Sequence, residues 1–120
     1  MARILVADDA FPVRVLLVRH LRAAGHEVVD VGDGPSALAL GNEGGIDLAV
    51  IGQLMPGMLG TEVIAAWRET GVDFPVFLLT AIDDEDTVVH SFEVGAADYV
   101  RKPVNMAELT ARVNGRLRTR

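Results

Sequence analysis

The sequence predicts one α/β domain whose parallel sheet is covered by helices on both faces. Five short apolar runs alternate with five segments of helical periodicity along the 120 residues, and this alternation is typical of repeated strand–helix units. Half of the residues are apolar, which suffices for one compact core at this length. We expect a single domain over residues 1–120.

The five predicted strands are short and mostly apolar. They lie at residues 3–7, 27–31, 48–51, 76–80 and 98–101. The third strand reads Leu48-Ala49-Val50-Ile51 without a polar residue, as expected for a strand that helices cover on both sides.

The predicted helices carry recognisable start and stop signals. Pro12 is suited to a first helical turn and Gly25 to a helix end. Asp33 is suited to cap the second helix, and Asn105 with Glu108 resembles a capping box for the fifth. The acids at residues 83–86 complement the dipole of the fourth helix. The residues expected to face the core are Val13, Leu16, Leu17, Leu21 and Ala24, then Ala37, Leu38 and Leu40, then Val63, Ile64 and Trp67, then Val88, Val89 and Phe92, and finally Met106, Leu109, Val113 and Leu117.

Composition excludes several classes of function. The net charge of −6 repels phosphodiester backbones, so we expect no direct nucleic-acid binding. The chain has no cysteine, no apolar run of membrane-spanning length and no signal-peptide pattern. His20, His26 and His90 lack the spacing of metal ligands.

Polar residues follow four of the strands. They are Asp8-Asp9 after the first strand, Gly52 to Pro56 after the third, Thr80-Ala81 after the fourth and Lys102-Pro103 after the fifth. Because ligands of open parallel sheets bind outside the carboxyl ends of the strands, we expect two carboxylates, a hydroxyl and an ammonium group to converge there. Locally, Asp8 and Asp9 could instead cap a helix, and Thr80 and Tyr99 could be ordinary strand residues.

Over its whole length the chain resembles the response-regulator receiver family. The resemblance rests on Ile4-Leu5-Val6-Ala7-Asp8-Asp9, Met55-Pro56-Gly57-Met58-Leu59-Gly60, Leu79-Thr80-Ala81 and Gly95-Ala96-Ala97-Asp98-Tyr99-Val100-Arg101-Lys102-Pro103. It implies a doubly wound, flavodoxin-like (βα)5 fold with strand order 2-1-3-4-5, a role in two-component signalling and a cytoplasmic location.

The resemblance also implies roles for individual residues. Asp8 and Asp9 match the acids that help to hold Mg²⁺, Thr80 and Tyr99 match the switch residues, and Lys102 matches the lysine that pairs with phosphate. Lys102-Pro103 matches the cis peptide of the family. The face built from the fourth helix, fifth strand and fifth helix carries dimers and output contacts in the family, and its candidate residues here are His90, Glu93, Asp98, Arg112 and Arg116. Ala97-Asp98-Tyr99 and the Arg112–Arg116 pair resemble receivers that are fused to winged-helix DNA-binding domains.

One position departs from the family. Counting back from Met55-Pro56, Gly52 stands where family members carry the aspartate that accepts phosphate from a histidine kinase. Glycine has no carboxylate with which to form an acyl phosphate, and Gln53 and Leu54 supply no nucleophile. We therefore expect no catalytic residue, weak or absent Mg²⁺ binding, no other cofactor, and an ion pair of Lys102 with Asp8 and Asp9.

The sequence leaves three interpretations. The first is an atypical, phosphorylation-independent receiver that binds a protein partner, with a histidine kinase, an output domain, a second receiver or its own copy as candidates. The second is an engineered inactive form of an ordinary receiver whose parent has aspartate at position 52. A flavin- or nucleotide-binding module is disfavoured because the first turn, Asp8-Asp9-Ala10-Phe11-Pro12, is acidic and contains no glycine.

Overall fold

A computed structural model describes residues 1–82 and 84–118 of the chain. Ten elements alternate strictly between strand and helix. The strands are β1 (Arg3–Ala7), β2 (Glu27–Val31), β3 (Leu48–Gly52), β4 (Val76–Thr80) and β5 (Asp98–Arg101). The helices are α1 (Phe11–Ala23), α2 (Gly34–Glu43), α3 (Gly60–Glu69), α4 (Glu85–Glu93) and α5 (Met106–Arg118).

The five strands form one parallel sheet in the order β2-β1-β3-β4-β5. The predicted fold class and strand order are therefore confirmed. β3 is the central strand, and all five of its residues are buried, as its uninterrupted apolar sequence predicted. Two apolar cores lie on opposite faces of the sheet, one containing Leu17, Leu109 and Val113 and the other Val63, Ile64 and Trp67.

Several predicted helix boundaries are confirmed by their capping bonds. The Asp33 carboxylate accepts a hydrogen bond from the Ser36 backbone N–H at 2.7 Å, and Asn105 accepts one from the Glu108 N–H at 2.9 Å. α1 ends in a Schellman motif. Gly25 has a positive φ of 95°, and this backbone conformation lets the N–H of His26 donate to the Leu21 carbonyl.

The predicted inner face of α4 is wrong in part. Val89 and Phe92 are exposed at 49% and 47%, while the residue that α4 buries is Ser91. The Ser91 hydroxyl donates to the Val88 carbonyl at 2.7 Å, so this polar group enters the interior with its hydrogen bond already made. Leu16 in α1 and Ala24 at its end are likewise exposed instead of facing the core.

One arginine ties the α3–β4 and α4–β5 connections together. The half-buried Arg68 guanidinium donates to the carbonyls of Val72, Phe74 and Gly95, each at 2.9 Å. Burial lowers the pKa of Arg68, and nearby Asp73 opposes this shift. This arrangement was not predictable from the sequence, since the three acceptors are backbone carbonyls in two connections that lie far apart in the chain.

Candidate functional site

The carboxyl ends of β1, β3, β4 and β5 lie side by side, and the turns predicted to converge do so. Ala7 is in register with Ile51, and Gly52 is in register with Leu79. The Lys102 N–H donates to the Thr80 carbonyl at 3.0 Å, which extends the β4–β5 pairing into the turn. Strand register thus brings the turns that contain Asp8, Gly52, Thr80 and Lys102 to one edge of the sheet.

The centre of this edge is an ion pair between Asp8 and Lys102. The Lys102 Nζ lies 2.8 Å from Asp8 Oδ2, and the Asp8 side chain is fully buried whereas that of Lys102 is 25% exposed. The other carboxylate oxygen, Oδ1, accepts the Ala10 N–H at 2.8 Å. Among the described residues no hydrogen bond of good geometry reaches Oδ2, so the charge of Lys102 is what compensates the buried oxygen.

Asp9 does not share this ion pair. Its side chain is exposed, and within residues 1–82 and 84–118 the ion pair of Lys102 is with Asp8 and not with Asp9. The prediction that Lys102 would contact both acids is wrong for Asp9. Asp8 and Asp9 are consecutive at a strand end, where neighbouring side chains point in different directions, so only one of them enters the pocket.

Gly52 occupies the position from which a side chain would enter the same pocket. A Cβ atom built on Gly52 would lie 3.0 Å from Asp8 Oδ2 and 3.3 Å from Asp8 Cγ. An acidic side chain at this position would therefore abut the buried Asp8 carboxylate. Because glycine has no side chain, only backbone atoms of residue 52 face Asp8.

The acids that remain do not fit a resident magnesium ion. Asp8 is already paired with Lys102, and Asp9 is exposed. In the described part of the chain no three His, Cys, Asp or Glu side chains group closely enough to hold a metal ion. Magnesium is bound by carboxylate oxygens that are available to it, and here the buried carboxylate is engaged by an ammonium group.

Gln53 points away from the pocket and caps α3. Its Oε1 accepts the Thr61 N–H at 2.9 Å, and its Nε2 donates to Thr61 Oγ1 at 3.1 Å. The residue before α3 is Leu59, which has no side-chain oxygen to cap the helix. The leucine at this position was the available signal that the helix takes its acceptor from elsewhere in the chain.

Thr80 and Tyr99 both contact the backbone of Ile82. The Thr80 Oγ1 accepts the Ile82 N–H at 2.9 Å, and the Tyr99 hydroxyl donates to the Ile82 carbonyl. The Tyr99 ring is partly buried against the core that contains Trp67. The two predicted switch residues therefore hold the start of the β4–α4 connection, while Asp83 lies outside the described residues.

The face formed by α4, β5 and α5 contains a cavity of about 400 Å³. It is lined by Val88, Phe92, Tyr99, Val100, Arg101, Pro103, Asn105, Glu108, Leu109 and Arg112. Arg112 contacts Asp98 at 3.2 Å and Glu108 at 2.9 Å, and Asp98 is the main cause of a raised pKa of Arg112. His90 and Glu93 are exposed on α4.

Two further predicted residues have clear places. Arg116 lies apart from Arg112 and lines a different cavity, together with residues that include Gly44, Asp73 and Pro75. The Lys102–Pro103 peptide bond is cis, as the resemblance implied.

Within the described chain, no helix combines the length and apolarity needed to cross a membrane.

Comparison with known proteins gives one consistent set of similarities. Residues 4–114 match the model of the response regulator receiver domain. The chain is 40% identical to the sensory transduction protein RegX3 of Mycolicibacterium smegmatis over 98% of its length and 51% of that protein. It is 42% identical to the transcriptional regulatory protein PrrA of Mycobacterium tuberculosis, again over 98% of the chain and 51% of the relative. The chain thus spans about half the length of these curated relatives.

Solved structures agree with these sequence matches. The receiver domain of the Francisella response regulator 1452 superposes with a TM-score of 0.94 at 30% identity and covers 100% of both chains. The receiver domain of the putative response regulator NarL from Mycobacterium tuberculosis gives a TM-score of 0.92 at 32% identity, over 99% of this chain and 98% of that one.

Proposed function

Because the chain belongs to the response regulator receiver family, we propose that it is a two-component receiver that works without aspartyl phosphorylation, as a protein-interaction module. The observation that carries the proposal is Gly52. It lies at the end of β3, at a position from which a side chain would point toward Asp8. Phosphorylation acts by adding charge that biases a two-state element. Without an acceptor, any bias on this domain comes from a bound partner.

No neighbouring group supplies a replacement acceptor. Gln53 is occupied with Thr61, and the Thr80 hydroxyl accepts the Ile82 N–H and has no carboxylate or imidazole as a general base among its described hydrogen bonds. Lys102, which pairs with phosphate in the family, is neutralised by Asp8 instead. The pocket therefore carries a fixed ion pair in place of a phosphorylatable group.

Acetyl phosphate with Mg²⁺ provides the direct test. The parent chain, Gly52→Asp and Gly52→Asn are incubated in parallel, and intact masses are measured at neutral pH. We expect a gain of one phosphate for Gly52→Asp alone, because the asparagine variant matches it in size and has no nucleophilic carboxylate. A phosphate adduct on the parent chain would overturn the proposal.

We propose the α4–β5–α5 face as the partner surface, with a second copy of the chain as the first candidate partner. Val89 and Phe92 are exposed on α4, and Phe92 lines the same cavity as Arg112. An exposed apolar patch with a charged rim is typical of protein interfaces. Sedimentation equilibrium of the parent and of Phe92→Asp tests this. We expect the substitution to abolish self-association, whereas Phe11→Asp, at a residue exposed on α1, leaves it unchanged; a parent that stays monomeric at high concentration contradicts a homodimer.

The relatives suggest the wider setting. PrrA is named as a transcriptional regulatory protein, and MtrA of Mycobacterium leprae, 41% identical over 97% of this chain, as a DNA-binding response regulator. We propose that the domain likewise serves as the regulatory part of a longer cytoplasmic regulator, with DNA binding left to another part because its own charge is −6.

A further inference from the structure

His26 lies between the amino end of the sheet and α5, far from the acidic pocket. Its backbone is fixed by the Schellman motif that ends α1, through the bond from its N–H to the Leu21 carbonyl at 3.2 Å. Its ring is partly buried beside a cavity of about 390 Å³ that is lined by Met1, Ala2, Ala24, His26, Asn114, Leu117 and Arg118. Water in this cavity can reach the ring, so the imidazole can exchange protons with solvent.

The two ring nitrogens of His26 have different partners, and these partners define its tautomer. The backbone N–H of Ala2 donates to Nδ1 at 3.2 Å. A backbone N–H is only a donor, so Nδ1 must be the unprotonated, accepting nitrogen. Nε2 then carries the hydrogen and donates to Asn114 Oδ1 at 2.7 Å. The neutral Nε2–H tautomer satisfies both bonds, and no other form of the ring does.

Protonation of His26 opposes this arrangement. An imidazolium carries hydrogen on both nitrogens, so Nδ1–H would face the Ala2 N–H and that backbone donor would lose its acceptor. The charged groups on the surrounding elements do not favour the cation. They are the amino group of Met1, Arg22 at the end of α1, Arg118 on α5, and the Arg3–Glu27 pair on β1 and β2, in which the carboxylate lies 3.8 Å from the arginine Nε.

We infer that His26 is a pH-sensitive clasp that holds α5 to the first strands of the sheet while its ring is neutral and releases this hold when the ring is protonated. The ring joins Ala2, which precedes β1, to Asn114 on α5. Asn114 is 88 residues away from His26 in the sequence. Because protonation of Nδ1 removes the acceptor of the Ala2 N–H, acidification should weaken the hold of the ring on α5.

The inference does not depend on the state of position 52. α5 also carries Arg112, which lies two residues before Asn114 and on the face proposed for partner binding, so a loosened α5 would alter that face. The clasp would therefore couple acidification to the partner surface by a route separate from the acidic pocket.

Unfolding by urea at a series of pH values tests the clasp. From about pH 7.5 to about pH 5 the unfolding constant of the parent should rise about tenfold more than that of His26→Gln, because the glutamine side chain does not titrate. Carboxylates that destabilise both proteins in acid cancel in this comparison. His20→Gln is the matched control, since His20 is exposed on α1 and its replacement should leave the parent's pH dependence unchanged.

A second variant distinguishes the clasp from a merely structural contact. Asn114→Asp places a carboxylate on Nε2, which favours the imidazolium, so this variant should lose less stability in acid than the parent. Nitrogen-15 spectra of the parent imidazoles should show His26 as the Nε2–H tautomer at neutral pH and provide a result even if a variant fails to fold. The inference is overturned by equal pH dependence in the parent and His26→Gln, or by a His26 ring that shows the Nδ1–H form.

Discussion

Placing an acid at position 52 should expose the electrostatic cost that glycine avoids. The Cβ of a residue at this position would lie 3.0 Å from Asp8 Oδ2, which puts the two carboxylate charges of Gly52→Asp about 5 Å apart. At an effective dielectric constant of about 20, that repulsion is about 3 kcal/mol. Lys102 already contacts Asp8 at 2.8 Å, and its attraction for the second carboxylate offsets part of this. We expect the new charge to lower the free energy of unfolding of Gly52→Asp by about 1–2 kcal/mol in total.

Steric cost has to be separated from charge. The contact of the new Cβ with Asp8 is tight for any side chain, so Gly52→Asn carries the same crowding without the charge. The difference between Gly52→Asp and Gly52→Asn in the free energy of unfolding therefore reports the charge term alone. Urea denaturation at neutral pH, low ionic strength and in the presence of EDTA measures this difference.

Magnesium should reverse the ranking of the two variants. A third carboxylate beside Asp8 and Asp9 would create an oxygen-rich site of the kind that Mg²⁺ prefers. At a Mg²⁺ concentration one hundred times the Kd, binding would add about 2.7 kcal/mol to the stability of Gly52→Asp, while the parent and Gly52→Asn should change little. Equal stability of the two variants in EDTA, or equal stabilisation of the parent by Mg²⁺, would refute the reasoning.

Three further predictions concern the pocket and its scaffold. Asp8→Asn should raise the rate at which an amine-reactive ester acylates Lys102 roughly tenfold. Because Lys102 is the only lysine of the chain, intact mass measures this rate as the label added beyond the amino terminus. An unchanged rate contradicts the ion pair. Arg68→Met removes the donor to three backbone carbonyls and should cost about 2–3 kcal/mol in urea denaturation, against almost no loss for the exposed Arg19→Met. Hydrogen bonds from Ser36 hold the pKa of the capping Asp33 below 3.8. The stabilising effect of the cap is therefore present above that pH and disappears as the pH falls through the lower folded value. The destabilisation caused by Asp33→Ala should shrink in acid, and a loss of stability that stays constant with pH would show that the cap is not linked to protonation.

Helix and strand identities were predictable because each rests on local chemistry. Asp33 and Asn105 bear the capping bonds that their positions indicated, and β3 is buried along its length. The inner face of α4 was not predictable in this way. Spacing shows which residues are apolar, but it does not show whether another element covers them, and Phe92 lies beside a cavity instead of inside the core.

The site was predictable at the level of turns and less so at the level of atoms. The rule that ligands gather at the carboxyl ends of parallel strands brought Asp8, Thr80 and Lys102 together from distant parts of the chain. Which of two consecutive aspartates pairs with Lys102 depends on side-chain direction after the strand ends, and that is a property of the turn. The cap that Gln53 provides for α3 was equally hidden, since its acceptor and donor lie eight residues apart.

The scaffold around position 52 explains why glycine is tolerated there. The loop after β3 is held by bonds that do not involve a side chain at 52, from the Gln53 N–H to the Leu79 carbonyl at 2.9 Å and from the Gly60 N–H to the Gln53 carbonyl at 2.9 Å. Lys102, the group that would otherwise lose its partner, is neutralised by Asp8. Since neither the loop nor the lysine depends on a carboxylate at 52, the architecture does not require one. A single substitution at this position can therefore test the proposed loss of the chemical function without disturbing the fold.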